Sequence, residues 1–105
     1  MKKTLSIGLL AAVAFVATNA TASQELATKS GCMACHNIDV KLVGPSYKEV
    51  AAKYKDQEGA KEMLVESVIK GGVNTWGPVP MPPKGGRADV SDEDIAKIVD
   101  WILAQ

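Results

Sequence analysis

A single histidine and only two cysteines occur among the 105 residues, and this scarcity excludes more than any other feature of the chain. Closed structural zinc takes four Cys or His ligands, and three are available here, crowded into one short segment that cannot close a tetrahedral cage. With no second histidine, the chain cannot hold one metal between two of its own imidazoles. There is no excess of charge either: 12 basic residues face 12 acidic ones. That balance gives no electrostatic footing for nucleic acid and no strongly basic surface for a highly acidic partner. No apolar run reaches the ~20 residues that span a bilayer. Internal repeats and low-complexity tracts are absent, as are the alternating β-branched runs that signal strands.

The three scarce residues stand together in Cys32-Met33-Ala34-Cys35-His36. C-x-x-C-H is the attachment spacing of c-type haem: two thiols supply thioethers to the haem edge and the imidazole faces the iron. A redox dithiol is the alternative reading of C-x-x-C. It belongs beside a βαβ pattern, whereas the residues after Cys35 carry helical periods. A plain disulfide leaves His36 without a role.

An iron held by His36 on one face takes a second ligand or keeps an open site on the other. Met1 falls in a segment read below as removed, and Met33 lies inside the tether, too close to His36 to reach the opposite face. Met63 falls in a helical pattern, where methionine is ordinarily core filler. Met81 stands in Trp76-Gly77-Pro78-Val79-Pro80-Met81-Pro82-Pro83, which holds four of the five prolines. Fixed φ values make that octet a stiff loop, able to present one side chain at low entropic cost. Met81 is the expected sixth ligand.

Residues 1–22 read as an export signal: Lys2 and Lys3 form the basic start, Leu5 to Ala17 the apolar stretch, and Ala20-Thr21-Ala22 the small-residue cleavage site. The alternative is an uncleaved anchor, for which the 13-residue apolar stretch is short. Cleavage before Ser23 leaves residues 23–105 as one domain of 83 residues, with 10 basic and 12 acidic side chains and a net charge of −2 before haem is counted. Such a domain has a thin core. A covalently held haem would act as its apolar staple, and the polypeptide without it is expected to be largely unfolded.

Four helices are legible. The first covers about Gln24 to Ser30 and stops at Gly31. The second opens on Ser46 and Glu49 in capping-box spacing and places Tyr47, Val50, Ala51 and Tyr54 on one stripe. A third runs near Ala60 to Lys70, with Leu64, Val65, Val68 and Ile69 apolar, and ends at Gly71-Gly72. The last follows the Ser91/Asp94 cap with Ile95, Ile98, Val99, Ile102 and Leu103 inward. Lys84 to Asp89 reads as a flexible link with two exposed cations.

Gly31 to His36, Val43-Gly44-Pro45, the Trp76–Pro83 octet and the closing Asp100-Trp101-Ile102-Leu103 together resemble the small class I bacterial cytochromes c of the c-551/c-552 type, over essentially the whole mature segment. The resemblance implies an all-α class I cytochrome c fold, about four helices wrapped around one haem c attached through Cys32 and Cys35, with His36 and Met81 on the iron. It implies further that the Pro45 carbonyl accepts from the His36 ring, that Trp76 donates to a haem propionate, and that Asn74 points toward the Met81 side. The last helix would cross the first at Leu26 and Gly31. A basic residue often found late in the third helix is missing, leaving Lys70 as its stand-in, and the Lys84–Asp89 link is longer and richer in glycine than the resemblance leads one to expect.

The function so implied is that of a periplasmic one-electron carrier with no substrate chemistry. It would be monomeric, with no stable membrane insertion after processing. It would pass electrons from a donor such as a quinol-oxidising complex to a nitrite reductase, oxidase or peroxidase. Met33, Ala34, Val43 and the Pro78–Pro82 loop would rim an exposed haem edge, ringed by Lys29, Lys41, Lys48 and Lys84. Two rivals stay open on the residues alone: a small haem enzyme or ligand sensor with a labile Met81, and a haem-free dithiol oxidoreductase.

Overall fold

The computed structural model describes residues 17–105; of the leader expected over residues 1–22, residues 1–16 lie outside the described residues. Four helices make up the framework: α1 Ala17–Lys29, α2 Tyr47–Tyr54, α3 Ala60–Lys70 and α4 Asp92–Leu103, with short 3₁₀ turns at Cys32–Ala34 and Pro83–Gly86. Among the described residues there is no strand, only one isolated antiparallel bridge between Gly72 and Met81. The all-α expectation holds, and α1 begins earlier than Gln24, running through the expected processing point before Ser23.

Each boundary has a local cause. Ser46 and Ser91 adopt extended backbone, and their hydroxyls accept from the amides of Glu49 and Asp94, both at 3.1 Å, satisfying donors that a helix start leaves open. Three acidic residues in the first turn of α4 suit the positive end of its dipole. Gly59 precedes α3 with φ of 76°, and Gly71 ends it at φ 74°. A Cβ on Gly71 would stand 2.6 Å from the Met81 carbonyl oxygen. That glycine is needed for both its dihedral and its bareness.

Helix α4 is the organiser. Its buried Ile98, Trp101 and Ile102 join Ala27 of α1, Tyr47, Val50 and Tyr54 of α2, and Ala60 of α3 in the main core. Ile95 and Val99 instead meet Val90 and the apolar face of α3. Ala27 is fully buried, and it rather than Gly31 is the small core residue that α1 contributes to the packing with α4. Gly31 serves otherwise: φ of 82° turns the chain into the Cys32–Ala34 turn, and the space a side chain would occupy is taken by the Arg87 side chain.

The Lys84–Asp89 link differs from its expected form. Lys84 is only 21 % exposed; its ammonium donates to the Val90 carbonyl at 2.8 Å and pairs with Asp92 at 3.0 Å. Lys84, Gly85 and Gly86 all take positive φ, a tight reversal that two glycines make possible. The link is therefore pinned at Lys84, and of its two cations only Arg87, paired with Asp89 at 3.3 Å, stays largely exposed.

Candidate cofactor site

One cavity of ≈ 590 Å³ opens between the helices and the long loop after α3, a size in the range of small-molecule and cofactor sites. It collects the expected attachment and ligand residues: Cys32, Cys35, His36, Pro45, Trp76 and Met81 all line it. Val50, Ile95, Ile98, Val99 and Ile102 form apolar wall shared with the core.

The imidazole is held from three sides. His36 Nδ1 donates to the Pro45 carbonyl oxygen at 2.8 Å, which leaves the lone pair on Nε2, the nitrogen a metal would use. The Tyr47 ring stacks on it at 5.0 Å and 19°, and Trp101 meets Tyr47 edge-on at 5.4 Å. Gly44 lies against the ring: a Cβ there would sit 2.7 Å from Nδ1 and closer still to Cε1. The 36–44 loop reaches that position because Asn37 Oδ1 accepts from the amides of Asp39 and Val40, an Asx turn. The Gly44 amide then closes the loop on the Cys35 carbonyl at 2.8 Å. Gly44→Ala must therefore push the ring or the loop aside. The expected cost is about 1–3 kcal/mol, the usual range for overpacking, read as a lowered denaturation midpoint with weakened ligation by His36 in the optical spectrum.

Met81 is positioned by backbone. Its amide donates to the Gly72 carbonyl at 2.8 Å and its carbonyl accepts from the Gly72 amide at 3.0 Å, pinching the neck of a loop whose tip turns at Asn74, where the amide meets the Gly77 carbonyl at 2.9 Å. Asn74 has φ of 74°, a conformation asparagine tolerates better than most residues. Trp76 is on the same loop, edge-on to Tyr54 at 6.2 Å, with the Lys53 ammonium 4.7 Å from its ring centre.

Electrostatics around the box are mild. Burial pushes the Cys32 thiol up, opposed by the Tyr47 hydroxyl and the Arg87 guanidinium, and burial likewise raises the Tyr47 phenol, which stays protonated at neutral pH. Lys70 is absent from the cavity: it lies on the outer surface of α3, paired with Glu66 at 2.5 Å, and each holds the other in its charged form. As a stand-in for the missing late-helix cation it fails, because its direction on α3 is away from the site. Met33 packs against the main core instead of forming a free rim. Of the expected ring of lysines, Lys48 is tied to Asp39 at 2.5 Å, Lys84 is withdrawn as described and Lys29 is exposed at the end of α1 outside the cavity lining, which leaves Lys41 at the cavity mouth. Tyr47 and Gly44 were legible only as a helix stripe and part of a motif. Their roles against the ring depend on how the 36–44 loop folds back.

A tethering pair of thiols, an imidazole with its Nε2 free, a thioether and apolar walls, all on one cavity, are the donors and surroundings that a covalent haem requires. The comparisons agree. A cytochrome c family model matches residues 20–105. The cytochrome c-551 of Allochromatium vinosum is 50 % identical over 88 residues, covering 84 % of this chain and 90 % of that one. The Pseudomonas aeruginosa cytochrome c-551 is 41 % identical over 107 residues, covering 100 % and 99 %. The crystal structure of wild-type Nitrosomonas europaea cytochrome c552 superposes with a TM-score of 0.71 at 42 % identity, covering 76 % of this chain and 95 % of that one. A helical domain built to wrap a covalent haem is thus defined by fold and site together. The chain belongs to the cytochrome c family, as a class I monohaem cytochrome of the c-551/c-552 type carrying c-type haem, and its function is that of a haem-based electron carrier.

Proposed function

We propose that this chain is a periplasmic one-electron shuttle in which Cys32 and Cys35 attach the haem, His36 and Met81 ligate the iron, and no substrate is transformed. The observation that carries the reading is the meeting of all four residues on one cavity, with His36 Nδ1 committed to Pro45 at 2.8 Å. When bound, the haem supplies a one-electron ferric/ferrous couple. The Pro45 carbonyl fixes the tautomer and plane of His36 and raises its basicity. Met81, a soft and weak donor, favours the reduced state and so suits an acceptor of electrons from a respiratory donor. His36 and Met81 together would complete the iron's ligand set and leave small oxidants no open site, which would set the shuttle apart from a haem enzyme or sensor.

Leu42, Val43, Val73 and Val79 line the cavity and are 49–59 % exposed. A small apolar patch of this kind suits brief docking with redox partners, such as a quinol-oxidising donor and a reductase, oxidase or peroxidase acceptor. Partner release after each transfer then stays fast. Residues 1–22 act in this reading as a cleaved export leader. No helix among the described residues is long and apolar enough to cross a membrane.

Export of the full chain with haem-attachment machinery tests the proposal. The expected product is coloured, begins at Ser23, has the mass of processed peptide plus one haem, and shows a thioether-to-ferric-iron charge-transfer band. A colourless product with titratable thiols would favour the dithiol reading, and rapid carbon monoxide binding to the native ferrous form would favour the sensor.

A further inference from the structure

We infer that Lys53 is the cation that receives the haem propionates, presented to them across the rings of Trp76 and Tyr54. The inference rests on the haem reading of the cavity, and its first step is the chemistry of the macrocycle. The two edge carbons that react with cysteines and the two that bear propionates lie on opposite sides of the ring. Cys32 and Cys35 would therefore hold the attached edge beside the box, and the two carboxylates would lie toward the opposite end of the cavity.

Helix α2 measures that distance. Tyr47, at its start, stacks on His36 at the attachment end. Tyr54 follows on the same face two turns later, about 10 Å further along the axis at 1.5 Å per residue. There Tyr54 meets Trp76 edge-on, and both rings line the cavity. Lys53 is exposed and lies outside the cavity lining itself; its ammonium stands 4.7 Å from the Trp76 ring centre and 5.2 Å from that of Tyr54, so the two rings that do line the cavity hold a cation at its outer rim.

Most other lysines are committed, Lys48 to Asp39 among them. Lys29 and Lys55, which share with Lys53 the lack of an ion pair among the described residues, neither line the cavity nor sit over an aromatic ring that does. Lys61 pairs with Asp100, Lys70 with Glu66 and Lys97 with Glu93. Lys84 lines the cavity but is neutralised by Asp92 and engaged by the Val90 carbonyl. Lys41 belongs to the loop that leaves His36, whose far end closes back on Cys35. Lys53 has no carboxylate at ion-pair distance among the described residues. The cavity-lining residues that neighbour Trp76 in the chain, Asn74 and Thr75, are donors without charge. Lys53 thus fills the role for which Lys70 points the wrong way.

The test compares exported, haem-loaded wild type with Lys53→Gln, Lys53→Arg and Lys70→Gln, by equilibrium redox titration at low ionic strength. Removing a cation near the haem stabilises the ferric form. In Lys53→Gln the ferric/ferrous ratio at fixed ambient potential should rise about two- to fivefold, the size expected of one exposed charge in a mostly aqueous medium, or roughly 20–40 mV at 59 mV per tenfold. Lys53→Arg should restore most of the shift, and Lys70→Gln should leave the potential at the wild-type value. A Lys53→Gln potential equal to that of Lys70→Gln, with haem mass and spectrum intact, overturns the assignment while sparing the haem reading. A wild type without covalent haem overturns both.

Discussion

Met81→Ala keeps its covalent haem and loses the charge-transfer band of thioether on ferric iron. Its reduction potential falls by a few tenths of a volt, on the order of 0.2–0.3 V, against the ~0.8 V that axial choice spans, and carbon monoxide gains access to the reduced iron. The effect stays local for a structural reason: Met81 is held by its own backbone amide and carbonyl, paired with Gly72 at 2.8 and 3.0 Å. Alanine keeps both bonds. The side chain can go without releasing the loop, so the variant reports on ligation and not on unfolding. Met63 is the informative control, because it also lines the cavity from α3 and packs against the main core. Met63→Leu should preserve the band and cost under about 1.5 kcal/mol, as volume-conserving core exchanges do. A band that survives Met81→Ala and disappears in Met63→Leu would transfer the ligand role to α3.

What the sequence discloses and what it hides divide along a physical line. Features set within a few residues are legible: the Ser46 and Ser91 caps form as their spacing requires, α3 spans Ala60–Lys70 as its apolar period predicts, and the proline-rich octet is a loop. Features set by what lies across the fold are not. Lys84 reads as an exposed loop cation, yet two glycines after it reverse the chain and turn its ammonium back onto Val90 and Asp92. Gly31 reads as a helix-crossing residue, but Arg87, 56 positions away in the chain, occupies its open side. Lys53 carries no signal in the sequence, and only the return of the Trp76 loop gives it two aromatic rings to sit on.

The same division governs the candidate site. The C-x-x-C-H box is contiguous, so its attachment chemistry is written in one place. Its supporting residues come from three separate segments: Gly44 and Pro45 from the loop, Tyr47 from α2 and, behind Tyr47, Trp101 from α4. Those contacts fix the imidazole plane, and the residues making them carry no ligand motif of their own. Periodicity marks Tyr47 as core, which is correct, and its second role follows from being the part of the core that touches His36, with Trp101 edge-on behind it.

Replacing both attachment cysteines, Cys32→Ser with Cys35→Ser, should yield a colourless chain without a cooperative unfolding transition. The cavity wall and the core are the same residues: Val50, Tyr54, Ile98 and Ile102 belong to the main cluster and also line the ≈ 590 Å³ cavity. The haem would fill that cavity as a large apolar plate, and each apolar side chain it keeps from water is worth about 1.5–3 kcal/mol, so losing a few such contacts rivals the roughly 5–15 kcal/mol that holds a whole domain together. Serine differs from cysteine by one atom at each position, so the loss comes from the missing tether and not from altered packing. Far-UV circular dichroism through a denaturant titration measures it: a shallow, non-sigmoidal decline of helicity is expected, with rapid proteolysis between α2 and α3. A sigmoidal transition in the double variant would mean that the four helices bury enough apolar surface against one another, and that attachment serves retention of the haem alone.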